Sequence, residues 1–136
     1  MPILDTELLF ALSPKDPKHK DALKLVKNLK GIMVPDTSLL EFQMVLRGRG
    51  RSISQLRLAM LALSKALLDN HITEAKTIDL KLLILQMEIE QKYLLSFFDS
   101  LIAASALLTD REIISDDPDY DKVPSLKRIP IAGFKS

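Results

Sequence analysis

Asp5, Glu41, Asp99 and Asp117 are the residues of this 136-residue chain whose types and settings point to chemistry. Asp5 closes the short apolar run Pro2-Ile3-Leu4, and Asp117 lies just past the β-rich run Glu112-Ile113-Ile114-Ser115. Glu41 falls on a helical turn otherwise covered by Leu39, Leu40 and Phe42, at an angle between those of Met44 and Val45. A carboxylate among such side chains needs a partner, because burying it bare costs several kcal/mol. Asp99 follows Ser96, an N-cap residue type, by three positions, which puts it in a helix's first turn, where the macrodipole favours a negative charge. Its neighbours on the helical wheel are Ile102, Ala103 and Ala106, and the two alanines leave room for an approaching group. No Lys or Arg stands where it would obviously neutralise these acids, so gathering them requires a cation. An all-oxygen set suits Mg2+ or Mn2+ rather than zinc. Such ions bridge a scissile phosphate, polarise it and lower the pKa of the attacking water, so a nuclease is the expectation. Singly, each acid has a plainer use: Asp5 and Asp99 as helix-start acids, and Asp116, Asp117, Asp119 and Asp121 as a solvated turn.

The acids meet only if the elements between them bring strand ends together. Residues 2–5 predict a buried strand feeding a short helix from Thr6. Asp16 as N-cap and Pro17 at the first helical position predict a helix over 16–30, with Ala22, Leu25, Val26 and Leu29 as its apolar stripe. Gly31 ends it, and Ile32-Met33-Val34 reads as a second strand stopped by Pro35. Asp36 or Thr37 caps a third helix that the stretch Gly48-Arg49-Gly50-Arg51 breaks. Residues 52–69 and 78–93 predict two amphipathic helices that pair with each other, Leu56, Met60, Leu63 and Leu67 lining the first. A small-residue helix over 97–108, a strand over 112–115 and an edge strand over 128–131 complete the chain. Short strands separated by helices, without hairpin signals, predict an α/β fold: a small parallel sheet of about four or five strands between helix layers.

Composition narrows the classes. Nineteen basic residues against 18 acidic, 47% hydrophobic and 27% charged, describe a globular chain of one domain over 1–136 rather than a disordered one. The absence of Cys excludes disulfides, thiolate zinc sites and a cysteine nucleophile. A net charge of +1 excludes a strongly basic coat, so nucleic-acid binding must come from local patches or metal ions. The apolar N-terminus lacks a basic leader and is interrupted by Asp5 and Glu7, and no later apolar stretch reaches a membrane span. A soluble, cytoplasmic chain is expected.

With these residues in order, the sequence resembles a PIN domain. The resemblance is carried by Ile3-Leu4-Asp5-Thr6, by Pro35-Asp36-Thr37-Ser38-Leu39-Leu40-Glu41-Phe42, by Ser96-Phe97-Phe98-Asp99-Ser100-Leu101-Ile102-Ala103-Ala104, and by Ile114-Ser115-Asp116-Asp117-Pro118-Asp119-Tyr120. It covers essentially the whole chain and is similar to the VapC-type ribonuclease toxins and their archaeal relatives. It implies a three-layer α/β/α fold, with Asp5 and Asp99 as principal Mg2+ ligands and Glu41 and Asp117 completing an acidic quartet. It implies further that the hydroxyls of Thr6 and Ser115 orient those acids or a water. Two departures stand out: Glu7, where the toxins often carry Asn, and Asp116 beside Asp117, which leaves the fourth acid ambiguous by one position. The family spacing of hydroxyl, any residue, acid favours Asp117.

A toxin-type member would cut RNA and be silenced by an antitoxin inserting a helix or an Arg near the acids. Arg47, Arg49 and Arg51 either contact an RNA backbone or form a solvated basic turn, and Lys15, Lys18, His19 and Lys20 add charge nearby. Tyr93, Phe97 and Phe98 read as core rather than as a base-stacking platform. Apolar surface on the two middle helices predicts a homodimer or a seat for an antitoxin helix. Two other readings compete. One is a non-catalytic PIN-like interaction domain acting through a dimer or partner surface. The other is a phosphotransferase with Asp5 as nucleophile, which would want a second Asp two residues on, where this chain has Glu7.

Overall fold

The runs at Ile3-Leu4, Met33-Val34 and Ile113-Ile114 are apolar at consecutive positions, the pattern of strands covered on both faces. In the computed structural model, which describes residues 1–131, they form the middle of one sheet. The chain runs β1 (Ile3–Leu4), α1 (Thr6–Ala11), α2 (His19–Asn28), β2 (Met33–Pro35), α3 (Asp36–Gly48), α4 (Ile53–Asp69), β3 (Thr73–Ala75), α5 (Leu80–Tyr93), α6 (Phe97–Leu107) and β4 (Glu112–Ile114). A 3₁₀ turn (Pro118–Lys122) and β5 (Lys127–Ile129) follow. All five strands are parallel, in the order β3-β2-β1-β4-β5, with helices on both faces: the expected three-layer α/β/α arrangement. No helix among the described residues is long and apolar enough to cross a membrane.

Strand alternation divides the core in two. Leu4, Val34 and Ile114 pack with Leu8, Leu25, Phe42, Leu56 and Leu63 beneath α1 to α4. Ile3 and Ile113 pack with Leu82, Ile89, Ile102 and Tyr120 on the other side. Local signals set most boundaries. Ser52 and Gln55 form a reciprocal capping box at the start of α4, Asp79 caps α5 through Leu82 N–H at 2.8 Å, and Gly31 turns from α2 into β2 at φ +69°.

Three expectations need correction. The helices over 52–69 and 78–93 do not pair: α4 packs on α3 and α5 on α6, on opposite sides of the sheet. The reason is β3, an edge strand absent from the sequence reading, which carries the chain across the sheet between them. Its residues Thr73 and Glu74 are exposed, so no apolar run announces it, and backbone pairing with Met33 and Val34 alone defines it. The second helix begins at His19 rather than beside Asp16, whose carboxylate accepts Lys18 N–H at 2.9 Å and closes a turn ahead of it.

Asp36 does not act as a simple cap either. Its carboxylate accepts from Thr77 Oγ1 at 2.7 Å, Thr77 N–H at 2.9 Å, Ile78 N–H at 3.0 Å and Thr37 N–H at 3.1 Å, fastening the β3–α5 loop to the start of α3. Asp36→Ala strands those donors and should lower stability by about 3 kcal/mol in urea unfolding. A loss no larger than the roughly 0.5 kcal/mol of an ordinary surface substitution would refute the latch.

Candidate active site

β1 and β4 pair in register, Ile3 with Ile113 and Leu4 with Ile114, so the residues that follow them emerge side by side at the carboxyl edge of the sheet. Those residues are Asp5 and Ser115. Asp5 N–H donates to Ile114 C=O at 3.1 Å, and the Asp5 side chain caps α1 by accepting Thr6 N–H at 2.8 Å. Ser115 Oγ donates to Asp5 Oδ2 at 2.6 Å, with Glu7 Oε1 as a second acceptor at 3.1 Å. α3 is pinned to β1 by Ser38 Oγ donating to Leu4 C=O at 2.7 Å, which brings Glu41 over α1, where Thr6 Oγ1 donates to Glu41 Oε1 at 2.5 Å. α6 starts at Ser96, whose Oγ accepts Asp99 N–H at 3.2 Å and so places the Asp99 carboxylate at the mouth of the same edge.

The 3₁₀ turn closes the site from below. Asp117 caps it through Asp119 N–H at 2.9 Å, and one carboxylate oxygen from each of Asp99, Asp117 and Asp119 lies within 4.8 Å of the others. Tyr120 is fully buried, and its hydroxyl donates to Asp5 Oδ1 at 3.0 Å, with Asp99 Oδ1 as a second acceptor at 3.3 Å. Asp5 therefore lies deepest and meets Asp99 through the Tyr120 hydroxyl, while Asp117 brings a carboxylate oxygen within 4.8 Å of one of Asp99.

Among the described residues no ion pair engages Asp5, Glu41, Asp99 or Asp117. Lys18 is held by Asp116 at 2.7 Å and Glu7 at 3.5 Å, Lys122 pairs with the outer acid Asp119 at 3.5 Å, and Arg128 Nε pairs with Asp121 at 3.0 Å. Burial accordingly pushes the Asp5 carboxyl up to about 7, against the bonds from Ser115, Thr6 and Tyr120 that favour its charged form. Burial also raises Glu41, opposed by the Thr6 hydroxyl and reinforced by the charge of Asp99. Asp99 is raised first by burial and then, against the Ser96 bond, by the charge of Asp117. Burial and the charges of Asp5 and Asp99 keep the Tyr120 phenol protonated far above its ordinary range. The donors are carboxylate and hydroxyl oxygens throughout, the set a hard divalent cation prefers.

Of the residues expected to form the site, Asp5, Thr6, Glu41, Asp99, Ser115 and Asp117 come to one edge. Asp116 turns away, to Lys18 and to Ile131 N–H at 2.7 Å. Arg47, Arg49 and Arg51 are exposed toward the far end of α3. Arg47 bonds Gln43, and Arg49 lies 4.8 Å from the Phe10 ring centroid. Phe97 departs from its expected core role at 55% exposure, on the solvent side of the first turn of α6. The sequence offers Asp119 and Tyr120 only as the end of the acidic stretch 116–120 and Glu7 only as a departure from the family pattern, with no sign that the three bond or approach the acids.

The sequence matches the family model described as PIN domain over residues 3–126. A comparison with curated proteins finds no match. Among solved structures, VapC20 of Mycobacterium tuberculosis, described as a sarcin-ricin loop cleaving toxin, superposes with a TM-score of 0.70 at 18% identity, covering 91% of this chain and 95% of that one. VapBC2 of Rickettsia felis, solved bound to a DNA fragment from its promoter, matches with a TM-score of 0.66 at 21% identity, covering 94% and 96%. FitAcB of Neisseria gonorrhoeae matches with a TM-score of 0.72 at 14% identity, covering 98% and 100%. At these identities the likeness is one of fold.

The raised Asp5 carboxyl has a pH signature. Because the folded chain holds that proton above the ordinary Asp value of 3.8, the metal-free protein loses stability as pH rises from about 4 to about 7. Asp5→Asn removes this titration, so the stability difference between wild type and variant should move against the wild type by up to about 4 kcal/mol across that window, at about 1.4 kcal/mol per unit. Urea unfolding at pH 4, 5, 6, 7 and 8 without metal measures it, and a pH-independent difference would contradict it.

Proposed function

The chain belongs to the PIN domain family, and on that premise we propose that it is a divalent-metal-dependent endoribonuclease, acting as one domain over residues 1–136. The observation that carries the reading is the convergence of Asp5, Glu41, Asp99 and Asp117 from separate segments without a base to pair them. In this reading the four carboxylates hold Mg2+ or Mn2+, which when bound polarises the scissile phosphate and activates the attacking water. Ser115 and Thr6 fix the deep acids: Ser115 bonds Asp5 Oδ2, and Thr6 bonds Glu41 by its hydroxyl and Asp5 by its N–H. Arg47, Arg49 and Arg51 supply phosphate contacts for an RNA strand approaching across α3.

A toxin role and a small antitoxin partner are supported by neighbours solved as toxin–antitoxin complexes from Klebsiella pneumoniae and as DNA-bound VapBC from Salmonella typhimurium. We assign the exposed Leu80, Leu83, Ile84 and Met87 of α5 to a homodimer surface. The cytoplasm is the compartment this partnership requires.

Asp5→Asn and Asp99→Asn should each lower Mn2+-dependent cleavage of a mixed-sequence RNA by at least about 100-fold while leaving the circular dichroism spectrum unchanged. Wild type should gain thermal stability with Mn2+, by about 2.7 kcal/mol at a hundredfold excess over Kd, and both variants should lose that gain. Undiminished cleavage in both variants would overturn the site, and a wild type without Mn2+ stabilisation would favour the non-catalytic interaction domain.

A further inference from the structure

Tyr120 is a fully buried side chain whose one polar atom is spent on the acids. Its ring packs with Ile102, Leu126 and the rest of the core beneath α5 and α6, so the hydroxyl cannot swing away. That hydroxyl stands 3.0 Å from Asp5 Oδ1, at the sheet edge, and 3.3 Å from Asp99 Oδ1, on α6. Among the described residues it is the one side-chain group bonded to both acids. Asp5 Oδ1 also accepts Thr6 N–H at 2.8 Å, so two donors take up both of its lone pairs. Among the described residues Asp5 Oδ2 accepts only from Ser115 Oγ, at 2.6 Å, which leaves it one further lone pair. Asp99 in turn has a carboxylate oxygen within 4.8 Å of one of Asp117.

We propose that Tyr120 is a positioning residue of the metal centre: its hydroxyl occupies Asp5 Oδ1, leaves Oδ2 as the ligating oxygen, and sets the spacing between Asp5 and Asp99 from which both acids hold one cation. Partners of this kind, which orient ligands without touching the ion, carry much of a site's affinity. The role deepens the metal-dependent reading above and rests on it, so wild type is measured beside the variants.

Tyr120→Phe keeps the ring and deletes one oxygen. Calorimetric titration with Mn2+ should show an affinity roughly 10- to 100-fold weaker than that of wild type, with the metal-free melting temperature held within a few degrees. Val123→Ala, which thins the same core without touching the acids, should keep wild-type affinity. Unchanged affinity in Tyr120→Phe, or equal losses in both variants, overturns the role. A wild type that binds no Mn2+ overturns the nuclease reading itself and the role with it. A second measurement leaves Tyr120 intact: with two Tyr and no Trp in the chain, Tyr93→Phe makes Tyr120 the sole near-ultraviolet tyrosine signal. Spectroscopically silent Mg2+ should then produce a tyrosine difference spectrum, and a flat spectrum where calorimetry detects Mg2+ binding overturns the role.

Discussion

Acids gathered without bases are the constraint on which this molecule turns. Asp5 is buried, and the chain supplies it with three neutral donors, Thr6 N–H, Ser115 O–H and Tyr120 O–H. Neutral donors orient a carboxylate without cancelling its charge; a lysine in the same place would cancel it. Lys122 pairs with the exposed Asp119, and Lys18 is kept off the four inner acids by its own pairs with Asp116 and Glu7. Glu7 thereby takes part at one remove, holding both the lysine and the Ser115 segment through the N–H of Asp116 and the Ser115 hydroxyl.

The order of the sheet makes this gathering inevitable once the strands form. β1 is central, its parallel neighbour β4 ends level with it, and the chain leaves both strands at the same edge. Each acid then sits at or near the start of a helix or turn: Asp5 before α1, Glu41 early in α3, Asp99 in the first turn of α6 and Asp117 before the 3₁₀ turn. Backbone N–H groups at the starts beside Asp5, Asp99 and Asp117 favour negative charge there before any cation is considered, whereas Glu41 lies in the second turn of α3, beyond that reach. Burial is graded across the group, from Asp5 at 6% exposure to Asp119 on the surface, so an approaching ion meets the outer acids first.

What could be read from the sequence was what is encoded locally. Strand-end acids, the Ser96 cap, the Gly31 stop and the apolar stripes are written within a few residues, and they located Asp5, Asp99, Ser115 and the central strands. Glu41 was legible because a carboxylate on an apolar turn is anomalous. Contacts between distant segments were not legible: Tyr120 lies 115 residues from Asp5 and 21 from Asp99, and nothing near it in sequence says where its hydroxyl points. The same limit explains β3, a polar edge strand defined by its neighbour's backbone, and the mistaken pairing of α4 with α5. An amphipathic stripe says that a helix has a buried face, not which side of the sheet receives it. Of the neighbouring acids Asp116 and Asp117, the turn sends the first to Lys18 and the second toward Asp99, the one that the family spacing favours.

The Asp36 latch extends further than the loop it fastens. Thr77 gives its single hydroxyl hydrogen to Asp36 at 2.7 Å, so in its 2.8 Å contact with Ser105 Oγ it is the acceptor. Ser105 then shares its one hydrogen between Thr77 and the Leu101 C=O at 3.0 Å, and must in turn accept from Thr37, at 2.8 Å. The hydroxyls line up one way, from α3 through α6 to the β3–α5 loop and back to the carboxylate that starts α3. Hydroxyls chained in this way polarise one another, even with the branch from Ser105 to the Leu101 C=O. Their bonds also join elements that pack on opposite faces of the sheet, so the two helix layers share one cooperative unit at this corner and should exchange their amide hydrogens together rather than layer by layer.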